Sequence, residues 1–108
     1  MKRLVLAVVT LVVVATCYVL PLAAQDAAGE GQKVFAREKC AMCHNAKMNS
    51  LGSVGTTLTA EQIRQWIENP TEAAKTSKST SKMKMPKKNL TKADVDNLVA
   101  YLQTMKAS

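Results

Sequence analysis

The chain predicts an all-α domain of three to four helices, on three observations. Apolar residues recur at helical spacing in three segments: Gly31/Val34/Phe35, Ile63/Trp66/Ile67 and Val95/Leu98/Tyr101/Leu102/Met105. Thr59 and Thr91 stand just ahead of the second and third segments, where an N-cap belongs. Downstream of residue 40 no stretch alternates apolar and polar residues as a half-buried strand would.

Residues 1–24 are expected to lie outside that fold. Lys2 and Arg3 precede an apolar run from Leu4 to Leu20, and Ala23-Ala24 leads into the polar Gln25-Asp26, the pattern of an export signal. Cleavage after Ala24 is favoured by the small-residue ending, although Leu22 is larger than the residue usually preferred three before a cut. The alternative is a retained membrane anchor. Leu4 to Ala24, at 1.5 Å per residue, is long enough to cross a hydrocarbon core of about 30 Å. Either way Lys2 and Arg3 stay on the cytoplasmic side. The domain, residues 25–108, is expected to be exported to the periplasm, free or anchored to the outer face of the inner membrane. Cys17 reads as an apolar filler of the leader.

The formal charge of +7 over 108 residues falls to +5 once Lys2 and Arg3 are removed. A domain this short buries only about 60 to 65% of its unfolded surface, so anything apolar that it binds becomes a large part of its core.

The first helix is expected to start between Asp26 and Glu30 and run towards Cys40. A glycine inside a helix costs roughly 1 kcal/mol against alanine, so Gly31 is expected to be kept for close approach of another helix; the alternative is that Gly29 and Gly31 mark a frayed helix start. Residues 45–58 hold Gly52 and Gly55 among Asn, Ser and Thr and read as a loop. Thr59-Ala60-Glu61-Gln62 is a capping box that opens the second helix, and Asn69-Pro70 closes it. Trp66, the only tryptophan, is expected to pack in the core at the edge of the apolar group that the domain binds. Residues 71–89, rich in Lys, Ser and Thr, read as a second exposed loop. Thr91-Lys92-Ala93-Asp94 caps a last helix that runs to about Met105, roughly 20 Å, and its Leu98/Tyr101/Leu102 stripe is the natural partner of Gly31 and Phe35.

The chemistry lies in Cys40-Ala41-Met42-Cys43-His44. C-x-x-C-H is the attachment signature of a c-type haem: two thiols one helical turn apart can each bond a vinyl group, and the next histidine is carried to the iron. A structural zinc site would need a fourth ligand, and the only other cysteine is Cys17 in the leader. A thioredoxin-like redox pair would need βαβ alternation, which the downstream periodicity does not show. With a single C-x-x-C-H and no internal repeat, one haem is expected.

His44 is the only histidine, so the other axial position falls to Met, Lys, water or nothing. From the Cys40/Cys43/His44 site, the Gly31/Phe35 helix ahead of it, Met85-Pro86 and the Leu98/Tyr101/Leu102 helix at the end, residues 26–108 resemble a single-domain monohaem class I cytochrome c of the bacterial type. That resemblance implies an all-α fold wrapped round one haem c. It further implies Cys40 and Cys43 as thioether attachments, His44 and Met85 as axial ligands, and one-electron transfer between redox proteins, with no enzymatic activity. Met83 competes with Met85, which is favoured because Pro86 stiffens the ligand loop. Two departures stand out. Residues 45–54 lack the proline whose carbonyl often orients the attachment histidine, so another acceptor must serve. The spacing from Phe35 to Cys40 is one residue longer than in many members, which reads as a local bulge.

Lys82, Lys84, Lys87 and Lys88 surround the methionine and, with Lys75 and Lys78, make the loop positive. An acidic redox partner is expected, docking in a salt-sensitive way. Replacement of the methionine by a lysine nitrogen at alkaline pH is expected as well. Export and the shortage of aromatics argue against nucleic acid. Two other readings share the motif: a haem-c subunit of a larger membrane oxidoreductase, and a haem-based sensor or enzyme with an open sixth site.

Overall fold

The computed structural model describes residues 26–106, so the leader and Cys17 lie outside the described residues. Helix α1 covers residues 26–37. A 3₁₀ turn, Cys40–Met42, follows, then the one-turn helix α2 (Val54–Thr57), α3 (Ala60–Glu68), α4 (Pro70–Thr76) and α5 (Lys92–Gln103). Four of these helices are seven residues or longer, within the three to four expected, and no strand occurs among the described residues.

The threonine caps form as expected. Thr59 Oγ1 accepts from the Gln62 N–H at 3.2 Å while Gln62 Oε1 accepts from the Thr59 N–H at 2.9 Å. At the start of α5, Thr91 Oγ1 accepts from the Asp94 N–H at 3.1 Å. Each cap satisfies backbone donors that the first helical turn leaves without partners.

The segment after Asn69 corrects the reading of residues 71–89 as one loop, because Pro70–Thr76 is helical. Asn69-Pro70 stops α3 and also starts α4: the Asn69 side chain accepts from the Glu72 N–H, and Pro70, with φ already fixed, occupies the first helical position. Lys75 accordingly sits on α4, paired with Glu72 at 2.8 Å, rather than in the basic loop. The 45–58 loop also holds a helical turn, α2, whose four residues are too few to show a period.

Val34, Val54, Ile63, Ile67, Val95, Leu98, Val99 and Leu102 form the core, with Phe35, Leu51, Leu58, Leu90, Tyr101 and Met105 packed against it. The predicted crossing of α1 and α5 is present at Gly31. A Cβ there would lie 2.7 Å from the Tyr101 Cβ and would overlap the Asn97 carbonyl, so only glycine lets the helices meet. Two ion pairs flank the crossing on α5, Arg37–Asp94 at 2.9 Å from α1 and Arg64–Asp96 at 2.8 Å from α3.

Candidate functional site

The attachment motif is presented by a sharp change of backbone direction after α1. Glu38 and Lys39 N–H groups still bond back to Val34 and Ala36, and Lys39 then takes the left-handed conformation, φ 56° and ψ 35°. Cys40 to His44 winds as one tight turn, with the Cys43 and His44 N–H groups both bonded to the Cys40 carbonyl at 3.2 and 2.9 Å. Both thiols are free, Cys40 half-buried and Cys43 exposed. Burial pushes the Cys40 thiol up, and the ammonium of Lys88 acts against that shift.

The acceptor that the sequence leaves open is the Asn49 carbonyl, 2.9 Å from His44 Nδ1. Its position follows from a tight turn at 45–48. Asn45 and Met48 exchange both backbone hydrogen bonds, at 2.9 and 3.2 Å, and the Asn45 side chain accepts from the Lys47 N–H at 3.0 Å. Asn49 then adopts φ 46°, a left-handed conformation that asparagine tolerates better than most residues. With Nδ1–H donating to a carbonyl, the lone pair is left on Nε2, the tautomer that a metal requires.

Met85 is half-buried, whereas Met83 is 54% exposed and Met42 70% exposed. Among the described residues, 80–90 take part in no backbone-to-backbone hydrogen bond, and of this segment Leu90 packs on the core. Trp66 is also half-buried, and neither it nor Met85 belongs to the apolar cluster or the side chains packed on it. Trp66, expected to pack on the haem edge, is thus a large apolar group left over from the protein core.

Two free thiols three residues apart, an imidazole held with Nε2 available, and unclaimed apolar groups fit a covalently attached haem. Among the described residues no three His, Cys, Asp or Glu side chains are grouped as a metal site would need. Cys40 and Cys43 would hold the porphyrin, and His44 would supply a nitrogen to its iron. A small all-α domain with this site is a protein built to carry a haem on a C-x-x-C-H turn. The family model for cytochrome c matches residues 28–106, and the chain belongs to the cytochrome c family. With one attachment motif in one small domain it is of the monohaem class I kind, its cofactor is one covalently attached haem c, and its family function is electron transfer. No curated protein and no solved structure matches the chain. No helix among the described residues is long and apolar enough to cross a membrane.

Proposed function

We propose that the chain is an exported one-electron carrier in which His44 and Met85 are the axial ligands. The observation that carries this reading is the His44 Nδ1 contact with the Asn49 carbonyl, which holds the ring and leaves Nε2 for iron. The haem supplies one iron that alternates between ferric and ferrous states. His44 offers a nitrogen and Met85 a thioether, a pair that serves both states with little rearrangement, and the thioether favours the reduced one. Half-burial of Met85 against 54% exposure of Met83 supports Met85 as the sulfur donor. If His44 and Met85 both hold the iron, oxygen and peroxide would find no open position there, which argues against catalysis.

Lys82, Lys84, Lys87 and Lys88 make no ion pair among the described residues, unlike Lys75 and Lys92. They surround Met85 in sequence, so an approaching redox protein with an acidic face would be drawn to the Met85 loop. Export follows from residues 1–24, with a retained segment serving as a tether.

Potentiometric titration of the loaded protein, repeated under carbon monoxide at neutral pH, tests the reading. A single one-electron wave, unmoved by carbon monoxide, is expected. A carbon monoxide complex of the reduced protein would mean an open sixth site and would replace the carrier with a sensor or enzyme.

A further inference from the structure

We propose that residues 49–55 are a strut that sets the strength of the His44 hydrogen bond, and that Gly55, seated on the end of α5, is the positioning residue that fixes it. The proposal rests on His44 being an iron ligand. At one end of the strut the Asn49 carbonyl accepts from His44 Nδ1 at 2.9 Å. At the other, the Gly55 N–H donates to the Met105 carbonyl at 2.8 Å. That is the single backbone-to-backbone bond tying residues 45–58 to another element among the described residues.

The seat admits only glycine. A Cβ on Gly55 would lie 2.7 Å from the Gln103 carbonyl carbon and 2.9 Å from the Met105 oxygen, and backbone at a helix end cannot step aside as a flexible side chain could. Between the two ends little slack remains. The Val54 N–H bonds to the Leu51 carbonyl at 3.0 Å, the Gly52 N–H to Ser50 Oγ at 3.3 Å, and Val54 is buried in the core with Leu51 packed against it. A displacement at Gly55 is therefore passed along six residues to Asn49. Gly55 touches neither the imidazole nor the thiols, and it acts through the carbonyl.

The chemical consequence follows from what that bond does. A firm Nδ1–H···O contact makes the imidazole a stronger donor through Nε2 and favours ferric iron, so loosening it raises the reduction potential. Gly31 provides the comparison, because a Cβ there would press on α5 at least as hard, at the Asn97 carbonyl and the Tyr101 Cβ, on the α1 side rather than at the strut.

The test compares the haem-loaded parent with its G55A and G31A variants, reading the reduction potential and the proton resonance of His44 Nδ1. G55A is expected to raise the potential and to shift the His44 resonance, while G31A lowers the denaturant midpoint and leaves both at the parent's values. Should G55A fail to fold, hydrogen exchange on the parent decides. The Gly55 amide and the His44 Nδ1 proton should then be released by one opening event, with the same dependence on denaturant. G55A with the parent's potential and resonance, G31A with an equal shift, or a Gly55 amide that opens while the His44 proton stays protected would each overturn the strut. A parent whose His44 resonances show no contact with iron would instead overturn the ligand reading, and the strut with it.

Discussion

The rings of Phe35 and Tyr101 meet edge to face, with centroids 5.6 Å apart and planes inclined at 67°. This contact joins the last full turn of α1, just ahead of the attachment motif, to the last turn of α5. It lies on the same crossing as Gly31, whose missing side chain lets the two helices come close enough for the rings to touch.

Truncating either ring should therefore loosen the platform from which Cys40 is presented. Both are half-buried, so Phe35→Ala is expected to cost about 2 kcal/mol, below the range for a fully buried ring. A double-mutant cycle with Tyr101→Ala, read by denaturant unfolding, should return a coupling of about 0.5–1.5 kcal/mol. Additive losses would mean that the rings contribute only by area.

Lys39 is a strained residue at a functional turn, non-glycine at φ 56° immediately before Cys40. The left-handed conformation costs such a residue about 1–2 kcal/mol, partly offset by the backbone freedom that glycine gives the unfolded chain. Lys39→Gly is expected to stabilise by about 0.5–1 kcal/mol, and Lys39→Val to destabilise, in thermal unfolding of the loaded protein. The reverse order would mean that the Lys39 side chain makes a contact worth more than the strain.

Acid should release the N-terminal half of α5 from its neighbours. Asp96 is held below the usual carboxylate range by Lys92 first and Arg64 second. For Asp94, partial loss of hydration pushes up, but the Arg37 and Thr91 contacts outweigh it and leave the group lowered. Carboxyls lowered by folding add stability that is present above their ordinary value, near 3.8, and lost as pH falls through the lower folded value. D94N and D96N variants should thus lose little at pH 7 and show a flatter decline below about pH 4, with the differences shrinking in high salt. An acid limb unchanged in both variants would assign acid unfolding elsewhere.

The basic loop should govern encounter with a partner. Reversing Lys82, Lys84, Lys87 and Lys88 to glutamate is expected to slow electron transfer with an acidic redox protein at least about ten-fold at low salt. The rate of the parent should fall as ionic strength rises, and that of the variant should not. Salt-independent transfer by the parent would mark the loop as merely solvated.

How far each element could be read from sequence depended on whether its signal lies in side chains. Thr59/Gln62 and Thr91 carry their caps in side-chain oxygens, and Gly31 betrays a close crossing by breaking a helical stripe, so α3, α5 and the α1 crossing were all legible. Asn69-Pro70 was legible in one direction only: it ends α3, but the same pair is also an N-cap followed by a proline at the first helical position, and α4 follows from that second reading. In α4 no apolar period accompanies the cap, which is why the Lys- and Thr-rich composition suggested a loop. The Cys40/Cys43/His44 motif was legible because its chemistry is in three side chains at fixed spacing. The partner of His44 was not, because a backbone carbonyl has no residue type. Only the two asparagines bracketing the 45–48 turn, one capping it and one tolerating φ 46°, hint at where that carbonyl lies. The seat of Gly55 depends on Met105, half a chain away, and no local pattern reports it.

The absorption spectrum of the haem-loaded oxidised protein, recorded in the far red beside a Met85→Ala variant, tests the axial pair most directly. A weak sulfur-to-iron charge-transfer band in the parent that disappears in the variant is the expected result, and it would establish Met85 opposite His44. A band that survives in the variant would move the sulfur donor to Met83, and a parent without the band would contradict a methionine-ligated electron carrier altogether.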